Sequence, residues 1–130
     1  MTEERERTRV DGTTHAVGVI GWPVSESLSP ILHNTAFIAL GLDWVYVPLP
    51  VPPDRVPEAL AGLSALGFSG ANVTMPHKTA CAELIEELSE DAERLHAVNT
   101  IVVTEGELSG YNTDSPGFDR FLRRDAGFAK

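Results

Sequence analysis

Short β-branched runs that alternate with helix-length apolar patterns constrain this chain more than any other feature. The run Ala16-Val17-Gly18-Val19-Ile20 is apolar throughout and stops at Gly21-Trp22-Pro23. Such a run marks a strand covered on both faces. Ser29-Pro30 then opens a helix, with Ser29 read as N-cap and Pro30 as the first helical residue. Ile31, Leu32, Phe37, Ile38 and Leu40 are its apolar positions, and Gly41 stands where a C′ glycine belongs. The segment Trp44-Val45-Tyr46-Val47-Pro48-Leu49 reads as a second strand, and Pro50, Pro52 and Pro53 mark the loop after it. Residues 54–66 read as a helix, with Val56, Leu60, Leu63 and Leu66 spaced three to four apart and Gly67 as the stop.

Residues 69–74 form a third expected strand, and a turn at Met75-Pro76 leads into a helix over 77–88. Ser89 caps a further short helix that runs to about residue 96. Residues 98–103 and 108–111 flank Thr104-Glu105-Gly106-Glu107, the pattern of a hairpin. Residues 114–124, with Phe118, Phe121 and Leu122, read as a final helix. The order β-α-β-α-β-α-α-β-β-α predicts an α/β fold. It is an open, mostly parallel β-sheet with helices on both faces and an antiparallel edge hairpin. One domain is expected over 14–124, after a disordered polar tail at 1–13 and before a connecting segment at 125–130.

Composition narrows the function classes. The chain has 130 residues, of which 42% are hydrophobic and 22% charged. A chain of this size buries roughly two-thirds of its unfolded surface, enough for a core without staples. Cys81 is the only cysteine, which excludes an internal disulfide and fits a reducing, cytoplasmic setting. No apolar run approaches a membrane span, and the charged N-terminus lacks the apolar core of a secretory signal. The sequon Asn72-Val73-Thr74 therefore carries no glycosylation reading. Ten Lys and Arg face 19 Asp and Glu, a net charge of −9. That argues against nucleic-acid binding, which needs a basic face.

The common chemical motifs are absent. Gly21-Trp22-Pro23-Val24-Ser25-Glu26-Ser27 after the first strand is not a dinucleotide fingerprint. Lys78-Thr79 resembles the end of a phosphate loop, but His77 precedes the lysine and the loop glycines are missing. There is no nucleophile elbow and no Cys/His metal spacing, and His15, His33, His77 and His96 are scattered.

What remains is a set of polar residues at strand ends, where open sheets bind ligands. Ser25, Ser27 and Ser29 follow the first strand; Asn72 and Thr74 end the third, with Lys78 just beyond. Asn99 begins the fourth strand and Asn112-Thr113-Asp114 ends the fifth. Hydroxyls, amides, one amine and one carboxylate suit a small polyhydroxylated anion. Each residue also has a structural reading. Ser27 and Ser29 serve equally as turn and cap residues, Asn72 and Thr74 as turn partners, Asp114 as a helix N-cap. Asn99 interrupts an apolar stretch and needs partners if buried. Lys78 is one of only two lysines, beside the terminal Lys130. In the first turn of a helix it opposes the macrodipole, so it reads either as a solvated cation or as a general acid/base steered by a carboxylate such as Asp114.

These residues resemble the shikimate dehydrogenase family, in its N-terminal substrate-binding domain. The matching blocks are Val19-Ile20-Gly21-Trp22-Pro23-Val24 with Ser27-Leu28-Ser29-Pro30 and His33-Asn34, then Gly70-Ala71-Asn72-Val73-Thr74-Met75-Pro76-His77-Lys78. Ala97-Val98-Asn99-Thr100 and Gly110-Tyr111-Asn112-Thr113-Asp114 follow in order. The resemblance implies reversible reduction of 3-dehydroshikimate to shikimate with NADPH, a step of chorismate and aromatic amino-acid biosynthesis. It implies that Ser27 and Ser29 hold the substrate carboxylate and that Asn72, Thr74, Asn99 and Asp114 bind ring hydroxyls. Lys78 and Asp114 become the acid/base pair, and Glu90 matches a position near the cofactor.

The family continues into a Rossmann-type domain that binds NADP, and no fingerprint of that domain stands in this chain. The chain alone is therefore expected to be inactive, its cofactor domain supplied in cis or in trans. Self-association through Phe118, Phe121 or Phe128 is a further expectation. A stand-alone binding module for a hydroxylated cyclic carboxylate is the alternative, as is half of a quinate or aminoshikimate dehydrogenase.

Overall fold

A computed structural model describes residues 9–114. Its element order is β1 (His15–Gly21), α1 (Ser29–Leu40), β2 (Trp44–Pro50), a 3-10 turn (Pro53–Arg55), α2 (Val56–Ala65), β3 (Gly70–Val73) and α3 (Lys78–Leu84). Then come β4 (Glu87–Leu88), α4 (Glu90–Leu95), β5 (Thr100–Thr104) and β6 (Glu107–Tyr111). The strands form one six-stranded sheet in the order β2-β1-β3-β5-β6-β4. β1 pairs in parallel with β2 and β3, β5 opposes both β3 and β6, and β4 runs parallel to β6. The expected α/β class holds, with β5 the one strand set against the other five.

Three expectations need correction. The hairpin β5–β6 is not at the edge, because β4 extends the sheet beyond β6. The helix expected over 77–88 ends at Leu84, where Ile85 turns extended, and this frees Glu87–Leu88 to pair. Ser29 is not the N-cap of α1. Leu28 holds that position without a side-chain cap, and Ser29 and Pro30 are the first helical residues. The other helix signals hold: Gly41 closes α1 in the left-handed region at φ 68°, and Ser89 Oγ accepts from Ala92 N at 3.2 Å. The expected last helix, apart from Asp114, lies outside the described residues, as do residues 1–8.

Alternation along β1 splits the core between two faces. Ile20 joins Val56, Leu60 and Leu63 of α2, Cys81 and Ala82 of α3 and Ala92 of α4. Val19 joins Tyr46 and packs with Phe37 of α1 on the opposite face. Each fully buried aliphatic side chain contributes about 1.5–3 kcal/mol. Gly70 lets β3 lie against β5, since a Cβ there would strike the Ile101 carbonyl.

β2 is an outer strand, and its free edge is blocked. Asn34 of α1 donates to Tyr46 O and accepts from Tyr46 N, both at 2.9 Å. Pro48 and Pro50 offer no N–H, so little of the edge is open to another strand. The N-terminal segment is anchored before the strand starts. Thr14 Oγ1 donates to Asp43 at 2.7 Å, and Thr13 binds both Asp11 and Asp43. Hydrogen bonds from the Thr13 N–H and hydroxyl hold the Asp11 carboxyl below its ordinary range. The polar stretch expected to run free to residue 13 is thus tied down from Asp11. Among the described residues no helix is long and apolar enough to cross a membrane.

Candidate active site

The carboxyl ends of β1, β3 and β6 meet the start of β5 at one edge of the sheet. β5 runs backwards, so its first residues share that edge. Gly21 makes the approach close: a Cβ there would strike Thr74, and Trp22 N donates to Met75 O at 3.2 Å. The result is a crevice of about 390 Å³, within the range of small-molecule sites. Its polar lining is Glu26, Ser27, Ser29, Asn72, Thr74, Lys78, Asn99 and Asp114.

Lys78 is delivered by the first turn of α3. His77 N donates to Thr74 O at 3.0 Å, and Lys78 O accepts from Val98 N at 3.0 Å. The His77 ring is buried, with Nε2 2.6 Å from the Val51 carbonyl. A carbonyl only accepts, so Nε2 carries the proton. The Lys78 Nζ donates to Asp114 Oδ2 at 3.0 Å. Asp114 is set in turn by Asn112, whose Oδ1 accepts from Asp114 N at 2.9 Å and whose Nδ2 donates to Ala97 O at 3.0 Å.

Asn99 is buried and fully engaged. Its Nδ2 donates to Thr113 Oγ1 at 3.0 Å and to Asp114 Oδ1 at 2.9 Å. Its Oδ1 accepts from Thr100 Oγ1 at 2.9 Å and from Thr113 N at 3.1 Å. Both amide hydrogens and both lone pairs have partners. Asn99 therefore holds Asp114 in place, and a ring hydroxyl reaching it must share a donor already in use. Asn72 is freer: its Oδ1 accepts the Tyr46 hydroxyl at 2.8 Å, while its Nδ2 makes only 3.5 Å contacts to Asn99 O and Thr100 Oγ1.

Ser27 Oγ accepts from Ser29 N at 3.2 Å, which leaves its hydroxyl hydrogen for a ligand. Tyr46 stacks on His33 with ring centroids 4.2 Å apart, and His33 Nδ1 lies 3.0 Å from Ser29 O. Burial raises the Tyr46 phenol above its ordinary pKa, and the nearby Ser29 hydroxyl acts against that rise.

The sequence-derived residues Ser27, Ser29, Asn72, Thr74, Lys78, Asn99 and Asp114 all meet in this crevice. Glu90 does not: it opens α4, away from the lining. Glu26, Tyr46, His77 and Thr100 were not named as site candidates, although His77 and Thr100 fall within the matching blocks. The lining serine Ser27 flanks Glu26, and Asn112 belongs to the quoted strand end, but nothing in residue type marked the other three. The apolar cleft between α2 and β2, about 430 Å³, holds none of the crevice residues.

Residues 19–101 match the family model described as the shikimate dehydrogenase substrate binding domain. The chain belongs to that family. It is 53% identical over 119 residues to a shikimate dehydrogenase (NADP(+)) of Citrifermentans bemidjiense, covering 92% of this chain and 41% of the relative. It is 56% identical over 111 residues to one from Rubrobacter xylanophilus, covering 85% of this chain and 39% of the relative. A crystal structure of a Listeria monocytogenes shikimate 5-dehydrogenase in complex with shikimate and NAD superposes with a TM-score of 0.84 at 39% identity. That match covers 97% of this chain and 42% of the other. The chain thus spans about two-fifths of the length of the curated relatives it matches. Those relatives are NADP-dependent by name, and this chain carries the family's substrate-binding domain.

The described residues do not fit a dinucleotide. Ser27 N donates to Val24 O at 3.0 Å, Gly21 is packed against Thr74, and the Glu26 carboxylate would meet a phosphate. The nucleotide is held mainly by a part of the family's length that this chain does not span.

Proposed function

We propose that this chain is the substrate-binding and acid/base half of a shikimate dehydrogenase, which interconverts 3-dehydroshikimate and shikimate. The observation that carries the reading is the Lys78 amine 3.0 Å from Asp114, inside a crevice whose other polar lining is neutral hydroxyls and amides and one further carboxylate, Glu26. NADPH supplies the hydride when bound, and the other work falls to this chain. The Ser27 and Ser29 hydroxyls, at the positive end of α1, receive the substrate carboxylate. Asn72 and Thr74 take ring hydroxyls. The Lys78 ammonium gives a proton to the C3 oxygen as negative charge develops there, and takes one back in the reverse direction. Asp114 holds the amine at the end of its stem through this exchange. We place the step in the cytoplasm, a reducing setting that suits the lone buried thiol of Cys81.

The test joins this chain to a nucleotide-binding domain of a relative and follows NADPH formation from shikimate and NADP⁺. Shikimate-dependent NADPH formation is expected from the joined protein and none from the chain alone. No turnover of shikimate, with turnover of a ring lacking the carboxylate, would overturn the substrate reading.

A further inference from the structure

Along the crevice, donors line up in one direction and end on Asp114. The Tyr46 hydroxyl donates to Asn72 Oδ1 at 2.8 Å, and Asn72 Nδ2 makes a long 3.5 Å contact to Thr100 Oγ1. The Thr100 hydroxyl donates to Asn99 Oδ1 at 2.9 Å, and Asn99 Nδ2 donates to Asp114 Oδ1 at 2.9 Å. The other oxygen, Asp114 Oδ2, takes the Lys78 amine. Every step points the same way, so the dipoles add, and the row ends on a group that only accepts.

Thr100 is the joint of this row. It opens β5, is not part of the crevice lining, and would read from sequence as an ordinary strand residue. Yet its hydroxyl fills the second lone pair of Asn99 Oδ1. Without it the buried amide keeps three of four partners, and its grip on Asp114 loosens. We propose that Thr100 is a positioning residue: its hydroxyl locks the Asn99 amide, and that lock fixes the Asp114 carboxylate against Lys78. The catalytic meaning of this lock rests on the acid/base reading of Lys78 and Asp114. The lock itself is testable without substrate.

The chain has four asparagines and no glutamine, so its ¹⁵N spectrum holds four side-chain amide pairs. It has two lysines, so Lys78 and Lys130 are easily told apart. In Thr100→Val the Asn99 pair is expected to shift and to exchange with water about fivefold faster, the equivalent of one lost hydrogen bond. The Lys78 side-chain signal should move with it. The Asn34 and Asn112 pairs, tied to Tyr46 O and Ala97 O, should stay in place. Thr100→Ser should restore the wild-type spectrum. An unmoved Asn99 pair or an unmoved Lys78 signal in Thr100→Val would overturn the proposal. So would movement of all four pairs alike, or failure of Thr100→Ser to rescue. A chain that keeps this lock and does not bind shikimate would refute the substrate reading alone.

Discussion

Lys78 and Asp114 lie 36 positions apart in sequence, and Nζ of one is 3.0 Å from Oδ2 of the other. The contact depends on topology. The turn after β3 leads into α3, whose first residue is Lys78, and the reversal at β5 brings the end of β6 back to the same edge. Asn99, at the start of β5, bridges the two by holding Asp114.

The pair should act on rate rather than affinity. In the joined protein, Lys78→Ala is expected to lower kcat by about 10²–10⁴-fold, the usual worth of a positioned acid/base. KM for shikimate should change little, because the hydroxyl and amide donors remain. Steady-state kinetics checks this, and a wild-type kcat would remove Lys78 from the proton transfer.

The Asn34 amide substitutes for a neighbouring strand at the β2 edge. Asn34→Ala removes two hydrogen bonds and leaves the Tyr46 N–H and carbonyl open. A loss of about 1–3 kcal/mol in denaturant unfolding is expected. Faster self-association at high concentration should accompany it, as an unblocked edge recruits another chain.

His77 should matter to the fold as much as to the site. His77→Ala deletes a buried ring and strands the Val51 carbonyl it now satisfies. The expected cost is about 2–4 kcal/mol in urea unfolding. A loss well under 1 kcal/mol would contradict the role assigned to its 2.6 Å contact.

Burial pushes the Cys81 thiol up to about 11 from an ordinary 9.0. In the unfolded chain the thiol ionises first, so the folded state holds more protons between those values. Stability from this group is fully present below pH 9 and is lost as pH rises toward 11. Unfolding midpoints measured from pH 8 to 11 should fall more steeply for the wild type than for Cys81→Ala. Folded protein should react slowly with thiol reagents at pH 8.

Much of the fold was legible because its signals are local. Apolar runs located β1 and β2, three-to-four spacing located α2, and Gly41, Gly67 and Ser89 marked ends that the structure keeps. β4 was hidden because two residues, Glu87 and Leu88, carry no period, and only pairing with β6 makes them a strand. Ser29 read as a cap from residue type, although the helix starts one residue earlier. The crevice residues were legible because they sit at strand ends and match family blocks. Tyr46, His77 and Thr100 were not legible as site residues. Tyr46 and His77 act through partners distant in sequence, Asn72 and Val51. Thr100 acts through its neighbour Asn99, by a side-chain bond that only the assembled strand end shows. The saturation of the Asn99 amide is likewise a property of the assembled edge.

The most direct test is a titration of the chain with shikimate, followed by backbone and side-chain NMR and repeated on Asp114→Asn. Saturable shifts at Ser27, Thr74, Lys78 and Asn99, weakened in the variant, are the predicted result. A spectrum unchanged at high shikimate, or shifts confined to the apolar cleft of α2 and β2, would contradict the assignment of the crevice.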